Sequence, residues 1–154
     1  MKKILILLML ILITGCTNNN EKKYYALVKE LKQIETTTIN IPFDITIVLD
    51  KITDNEIVYN AVIDNAQEEI KDVVALVTND QVTNKMYPSI GIFDKKIKIV
   101  PSHKEINDDS VKGIALVGYL PFDKEIEEFS GIFKVYVEFT LKGKRQKIYY
   151  IYKI

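Results

Sequence analysis

From residue 133 to 141 the chain alternates without a break. Phe133, Val135, Val137, Phe139 and Leu141 take one phase, and Lys134, Tyr136, Glu138 and Thr140 take the other. A strand turns successive side chains to opposite faces, so this period-two pattern makes one apolar face and fits no helix. Lys142-Gly143-Lys144 interrupts the run, and apolar residues return over 148–154. A two-residue turn at Lys142-Gly143 or at Gly143-Lys144 sends Ile148, Tyr150 and Tyr152 to the side of Phe133, whereas a three-residue turn inverts them. A hairpin with such a face needs a second layer to cover it.

The preceding residues supply candidates for that layer. Ile45, Ile47 and Leu49 alternate with Asp44, Thr46 and Asp50, with Val48 breaking the polar phase, and Thr53-Asp54-Asn55 reads as a turn. Residues 57–63 form an apolar run broken by Asn60, and 73–77 form another, stopped by Thr78-Asn79-Asp80. Two short strands are expected at 90–93 and 97–100, joined by Asp94-Lys95-Lys96. A further strand at 113–120 follows the polar Asn107-Asp108-Asp109-Ser110. Short strands between turn residues at this spacing predict a sandwich.

Helical spacing occurs once, in Tyr24, Leu27, Val28, Leu31 and Ile34, which predicts a short amphipathic helix over 24–35. Thr36-Thr37-Thr38 ends it, because β-branched residues favour extended backbone. Its single apolar stripe is expected to pack on its own domain rather than on a membrane. Parallel strands need long, usually helical crossovers, and no helix is expected between these strands. The expected fold is mainly β: an antiparallel sandwich of seven or eight strands over residues 42–154, with one N-terminal helix. In strand order and length it resembles an immunoglobulin-like or fibronectin-type domain, without the Cys-Trp-Cys core of antibody domains. Residues 56–138 also resemble the immunoglobulin-like modules of small Gram-positive lipoproteins, a likeness that assigns no residue a role.

The N-terminus follows different rules. Lys2 and Lys3 precede ten uninterrupted apolar residues at 4–13, a stretch suited to a secretory signal and too short to span a bilayer unaided. Ile13-Thr14-Gly15-Cys16 then resembles the lipobox of bacterial lipoproteins. That resemblance implies a signal peptide at 1–15, cleavage between Gly15 and Cys16, and a diacylglyceryl thioether on Cys16, the freed amine being open to acylation by palmitate or a similar chain. It also implies a lipid anchor on the extracytoplasmic face of the cell membrane, with a polar tether over 16–23. A single cysteine consumed by lipid leaves no disulfide to form. Without Lys2 and Lys3 the chain holds 19 basic against 21 acidic residues. That balance excludes a polycation that grips nucleic acid through phosphates, so no nucleic-acid partner is expected.

Residues able to carry chemistry are few. His103, in Pro101-Ser102-His103-Lys104, is the one imidazole and has no adjacent residue to orient it. No G-x-S-x-G, S-x-x-K, H-E-x-x-H or C-x-x-C motif occurs. Asp50, Asp54 and Glu56, and separately Asp108 with Asp109, could suggest calcium, but neither group supplies six to eight oxygens or the glycine of an EF loop. The run Asp123-Lys124-Glu125-Ile126-Glu127-Glu128 reads as a charged loop. No catalytic residue, metal or cofactor is therefore expected. Basic residues interleave with Tyr149, Tyr150 and Tyr152 near the C-terminus; the lysines protect an edge strand, and outward Tyr136 and Tyr149 are the candidate binding residues. By the same phase, Lys134 is expected to stand free in solvent. The functional expectation is a membrane-anchored, non-catalytic binding or scaffolding module with a protein or cell-envelope partner. An inhibitor or immunity lipoprotein is the alternative, and a carboxylate-based enzyme the third reading.

Overall fold

A computed structural model describes residues 19–81 and 89–154 of the chain. Strands β1 (Asp44–Thr53), β2 (Glu56–Asp64) and β6 (Ile114–Pro121) form a three-stranded antiparallel sheet in the order β1-β2-β6. The second sheet has the order β5-β4-β3-β7-β8, from β3 (Ile70–Asn79), β4 (Ser89–Ile99), β5 (Ser110–Val111), β7 (Ile132–Leu141) and β8 (Lys144–Lys153). All pairings there are antiparallel except the two-residue β4–β5 ladder, which is parallel. The fold is thus mainly β, a two-sheet sandwich of eight strands among the described residues, with one N-terminal helix.

Both sheets turn their period-two apolar faces inward. Ile45, Ile47, Ile57, Tyr59, Ala61, Ile63, Leu116 and Leu120 meet Val73, Ala75, Val77, Phe133, Val135, Val137, Phe139 and Ile148 in one buried cluster. Phe43 meets Phe139 edge-on at 5.2 Å, and Tyr59 meets Phe133 at 5.1 Å, spacings at which aromatic pairs attract beyond their buried area. Gly118 lies opposite Tyr59 in the ladder, and a Cβ there would fall 2.2 Å from the tyrosine ring, so the glycine makes room for the ring.

The last hairpin closes with the two-residue turn. Leu141 pairs with Lys144, and Lys142 and Gly143 both take positive φ, 50° and 77°. Two such residues make the type I′ geometry whose twist matches the strands. Ile148, Tyr150 and Tyr152 accordingly join the core side.

Three expectations about element bounds need correction. The segment 89–99 is one strand, not two: Val73 pairs with Ile97 and Ala75 with Ile92, so β4 bulges around Asp94-Lys95-Lys96 and stays in the sheet. The helix α1 runs Asn19–Gln33, taking in residues assigned to the tether, so a start at residue 24 was too late. Polar residues 19–23 add no apolar period, yet they continue the turn that Tyr24 begins. The 123–128 loop contains a short 3-10 turn, Ile126–Glu128.

Helix α1 packs on the outer face of the five-stranded sheet. Leu27, Val28 and Leu31 bury against Val74, Leu76 and Tyr136, with Tyr24, Phe93 and Tyr149 at the margin. Burying each aliphatic side chain contributes about 1.5–3 kcal/mol as an upper figure. The apolar stripe thus serves the domain itself, as expected. Lys23 Nζ approaches Glu138 at 3.9 Å, while Lys134 Nζ donates to the Lys32 and Ile34 carbonyls at 2.7 and 2.6 Å. The helix therefore runs antiparallel to β7. Lys134 is not free in solvent, because it satisfies carbonyls left open at the helix C-terminus.

The chain then passes along the β8 edge. Thr38 N–H donates to the Tyr149 carbonyl at 2.8 Å, and the Thr38 and Thr37 hydroxyls accept from the Tyr149 and Ile151 N–H groups. These threonines cover an edge that would otherwise offer free backbone groups.

Candidate functional site

The residues first suspected of binding lie beneath the helix. Tyr136 is outward from the sandwich, as its phase requires, but α1 covers it and leaves it 1% exposed. Its hydroxyl donates to Glu138 Oε2 at 2.7 Å, Arg145 Nε donates to Glu138 Oε1 at 2.8 Å, and Lys147 stands 5.8 Å above its ring. Tyr149, half-buried and 5.7 Å from Tyr136 between ring centres, donates its hydroxyl to Glu30 of the helix. The pair works as packing between helix and sheet, so Tyr136 and Tyr149 do not form an open binding surface.

The electrostatics agree with that role. Burial raises the Tyr136 phenol above its usual range, and the Glu138 carboxylate that it donates to raises it further. Burial, then Glu30, pushes Tyr149 up to about 12. Partial burial works against the ionised Glu138, but hydrogen bonds from Arg145 and Tyr136 and the charges of Arg145 and Lys23 outweigh it, so its carboxyl lies below the ordinary value. Tyr59, in the core, is pushed up to about 12 by burial, with a hydrogen bond from Asn79 opposing.

The open surface is the outer face of the other sheet. Registers place Val48, Asn60 and Val117 in one row, Asp50, Val58 and Tyr119 in the next, and Thr46, Val62 and Ala115 on the far side. Val48 is 43% exposed, Val117 39% and Tyr119 52%, and Ile52 extends the patch along β1. Single exposed apolar residues are ordinary, but here Val48, Val58, Val117 and the edge-strand Tyr119 lie around Asn60 on one uncovered face. Sequence reasoning passed over it. Two signals could have found it: Val48 breaks the polar phase of β1, and Ala115, Val117 and Tyr119 leave β6 with no polar phase at all.

The remaining candidates fall elsewhere. His103 is exposed and lines a shallow cleft of about 440 Å³ with Glu68, Glu69, Lys71 and Lys142. There Lys142 holds Glu68 at 2.7 Å and Lys71 holds Glu69 at 3.1 Å, and the lysine beside it holds the Glu69 carboxyl below its ordinary value. The ion-paired Glu69 carboxylate is a poor proton acceptor at neutral pH. Asp50, Asp54, Asp108 and Asp109 are exposed, and the Asn107 side chain accepts the Asp109 N–H at 3.4 Å within its own loop. Among the described residues, no three His, Cys, Asp or Glu side chains gather as a metal site would require. Gly15 and Cys16 lie outside the described residues, and among the described residues no helix is long and apolar enough to cross a membrane. The chain matches no protein-family model, and no curated protein or solved structure is significantly similar to it.

Proposed function

We propose that the chain is an extracytoplasmic lipoprotein whose sandwich is a non-catalytic, immunoglobulin-like binding module, engaging a protein or envelope partner through the outer face of β1, β2 and β6. The observation that carries this reading is the uncovered face on which Val48, Val58, Val117 and Tyr119 cluster around Asn60. The neighbour order supports the immunoglobulin-like part. Taking β1, β2, β3, β4, β6, β7 and β8 as A, B, C, C′, E, F and G gives A-B-E in one sheet and C′-C-F-G in the other. The Ile13-Thr14-Gly15-Cys16 match supports the anchor. Cys16→Ala should abolish lipid labelling and release the protein from the membrane, and unchanged retention with unchanged mass would refute the anchor. A photo-crosslinking residue at position 119 should capture one discrete partner in intact cells, with none captured from position 144 on the hairpin turn. Equal capture from both positions would refute the proposed face.

A further inference from the structure

The apolar stripe of α1 is spent on the sheet, and the opposite stripe remains. Lys22, Tyr25, Ala26, Lys29, Lys32 and Gln33 recur at helical spacing, and all six are exposed, Tyr25 by 56%. Glu21 is exposed beside them, whereas Glu30 is held by Tyr149. Three lysines against one carboxylate leave a cationic stripe about 15 Å long from Lys22 to Lys32 at 1.5 Å per residue. Lys147, exposed on β8 with its Nζ 5.8 Å above the Tyr136 ring, adds a cation beside the helix. Only Thr17 and Asn18 separate Cys16 from the first helical residue, Asn19, three residue steps that reach at most about 10–11 Å.

The opposite end of the molecule carries the other sign. Phe122 N–H bonds the Asn55 carbonyl at 3.0 Å, which brings the exposed Asp54 and Asp123 together at the end away from the helix N-terminus. Exposed Glu127 and Glu128 follow in the same loop, and Glu125 is paired with Lys51 at 3.6 Å. We infer that the exposed stripe of α1 lies on the anionic headgroups of the membrane that holds the anchor, turning the open face of β1, β2 and β6 away from the bilayer. Exposed Tyr25 suits that interface, where aromatic rings with a polar tip accumulate. Each cation near an anionic surface favours docking about fivefold, so the three lysines together shift the docked equilibrium about a hundredfold.

The inference rests on the anchoring reading, and one experiment separates the two. The full lipidated protein is reconstituted in vesicles of phosphatidylcholine, alone or mixed with phosphatidylglycerol, and its amines are labelled. Lys22, Lys29, Lys32 and Lys147 should be protected only in the anionic vesicles, and about 1 M salt, which cuts the screening length to about 3 Å, should remove the protection. Lys124 should label equally throughout. In the Lys22→Gln/Lys29→Gln/Lys32→Gln chain, still anchored and folded, protection of Lys147 should vanish. Equal labelling in both vesicles with the lipid in place overturns the docking alone. A mass without lipid overturns the anchoring reading and the docking with it.

Discussion

Replacing Lys134 tests how the helix is held to the sandwich. A lysine in the polar phase of a strand would ordinarily tolerate reversal within about 0.5 kcal/mol. Here its ammonium donates to two carbonyls at the C-terminus of α1, at 2.7 and 2.6 Å. A hydrogen bond involving a charged group contributes about 1.5–3 kcal/mol when well buried. One bond is exposed and the other half-buried, so the pair together contributes about 1–2 kcal/mol. Lys134→Met keeps most of the stem and should lose that amount. Lys134→Asp also sets a carboxylate against the negative end of the helix dipole, adding about 0.3–1 kcal/mol. Urea unfolding should show a lower midpoint at constant m-value, and amide exchange should quicken first over residues 24–33. Lys124→Asp, on an exposed loop, is the control. If Lys134→Asp were as silent as Lys124→Asp, with α1 exchange unchanged, the capping argument would be wrong.

Val137→Asp should unfold the domain, since the side chain is fully buried between the sheets and a carboxylate there would cost several kcal/mol; circular dichroism decides. Gly143→Ala should cost about 1–2 kcal/mol in thermal or urea unfolding, because φ of 77° suits glycine and a Cβ there meets no neighbour to compensate. Glu138 ionises below its ordinary value when folded, so the unfolded chain takes up its proton first as pH falls. Its contribution is present above the unfolded value and lost as pH drops through the folded one, and Glu138→Gln should flatten that acid limb of the stability profile. Tyr59 and Tyr149 are raised from 10.0 to about 12, so stability should fall as pH rises through that window, with their phenolate absorbance emerging together with unfolding.

The parts of the fold legible in the sequence were those governed by local rules. Strict alternation from Phe133 to Leu141 marked the apolar face of β7, but the Lys142-Gly143-Lys144 composition left the turn length open, and only the paired positive φ values of Lys142 and Gly143 settle the register. The helix was legible from Tyr24 onward, where apolar spacing begins, but not at Asn19, where polar residues extend a turn without contributing to the stripe. β4 was misread because Asp94-Lys95-Lys96 has the composition of a turn, whereas neighbouring β3 holds it in the sheet as a bulge. The covering of Tyr136 is a tertiary fact. Its only local trace is that Val74 and Leu76 make the outward phase of β3 as apolar as the inward one. The open face of β1, β2 and β6 left a similar trace in Val48 and Val117, and composition alone does not tell a covered face from an open one.

Helix α1 closes one outer face of the sandwich and leaves the other exposed, the face we propose a partner covers. Hydroxyl-radical footprinting of Tyr119 against Tyr136, in purified protein and in native membranes, tests this arrangement most directly. Purified protein should show Tyr119 strongly oxidised and Tyr136 protected, and native membranes should add protection at Tyr119 while Tyr136 stays unchanged. Oxidation of Tyr136 in the purified protein would contradict the helix packing, and equal reactivity of Tyr119 in both settings would contradict the partner.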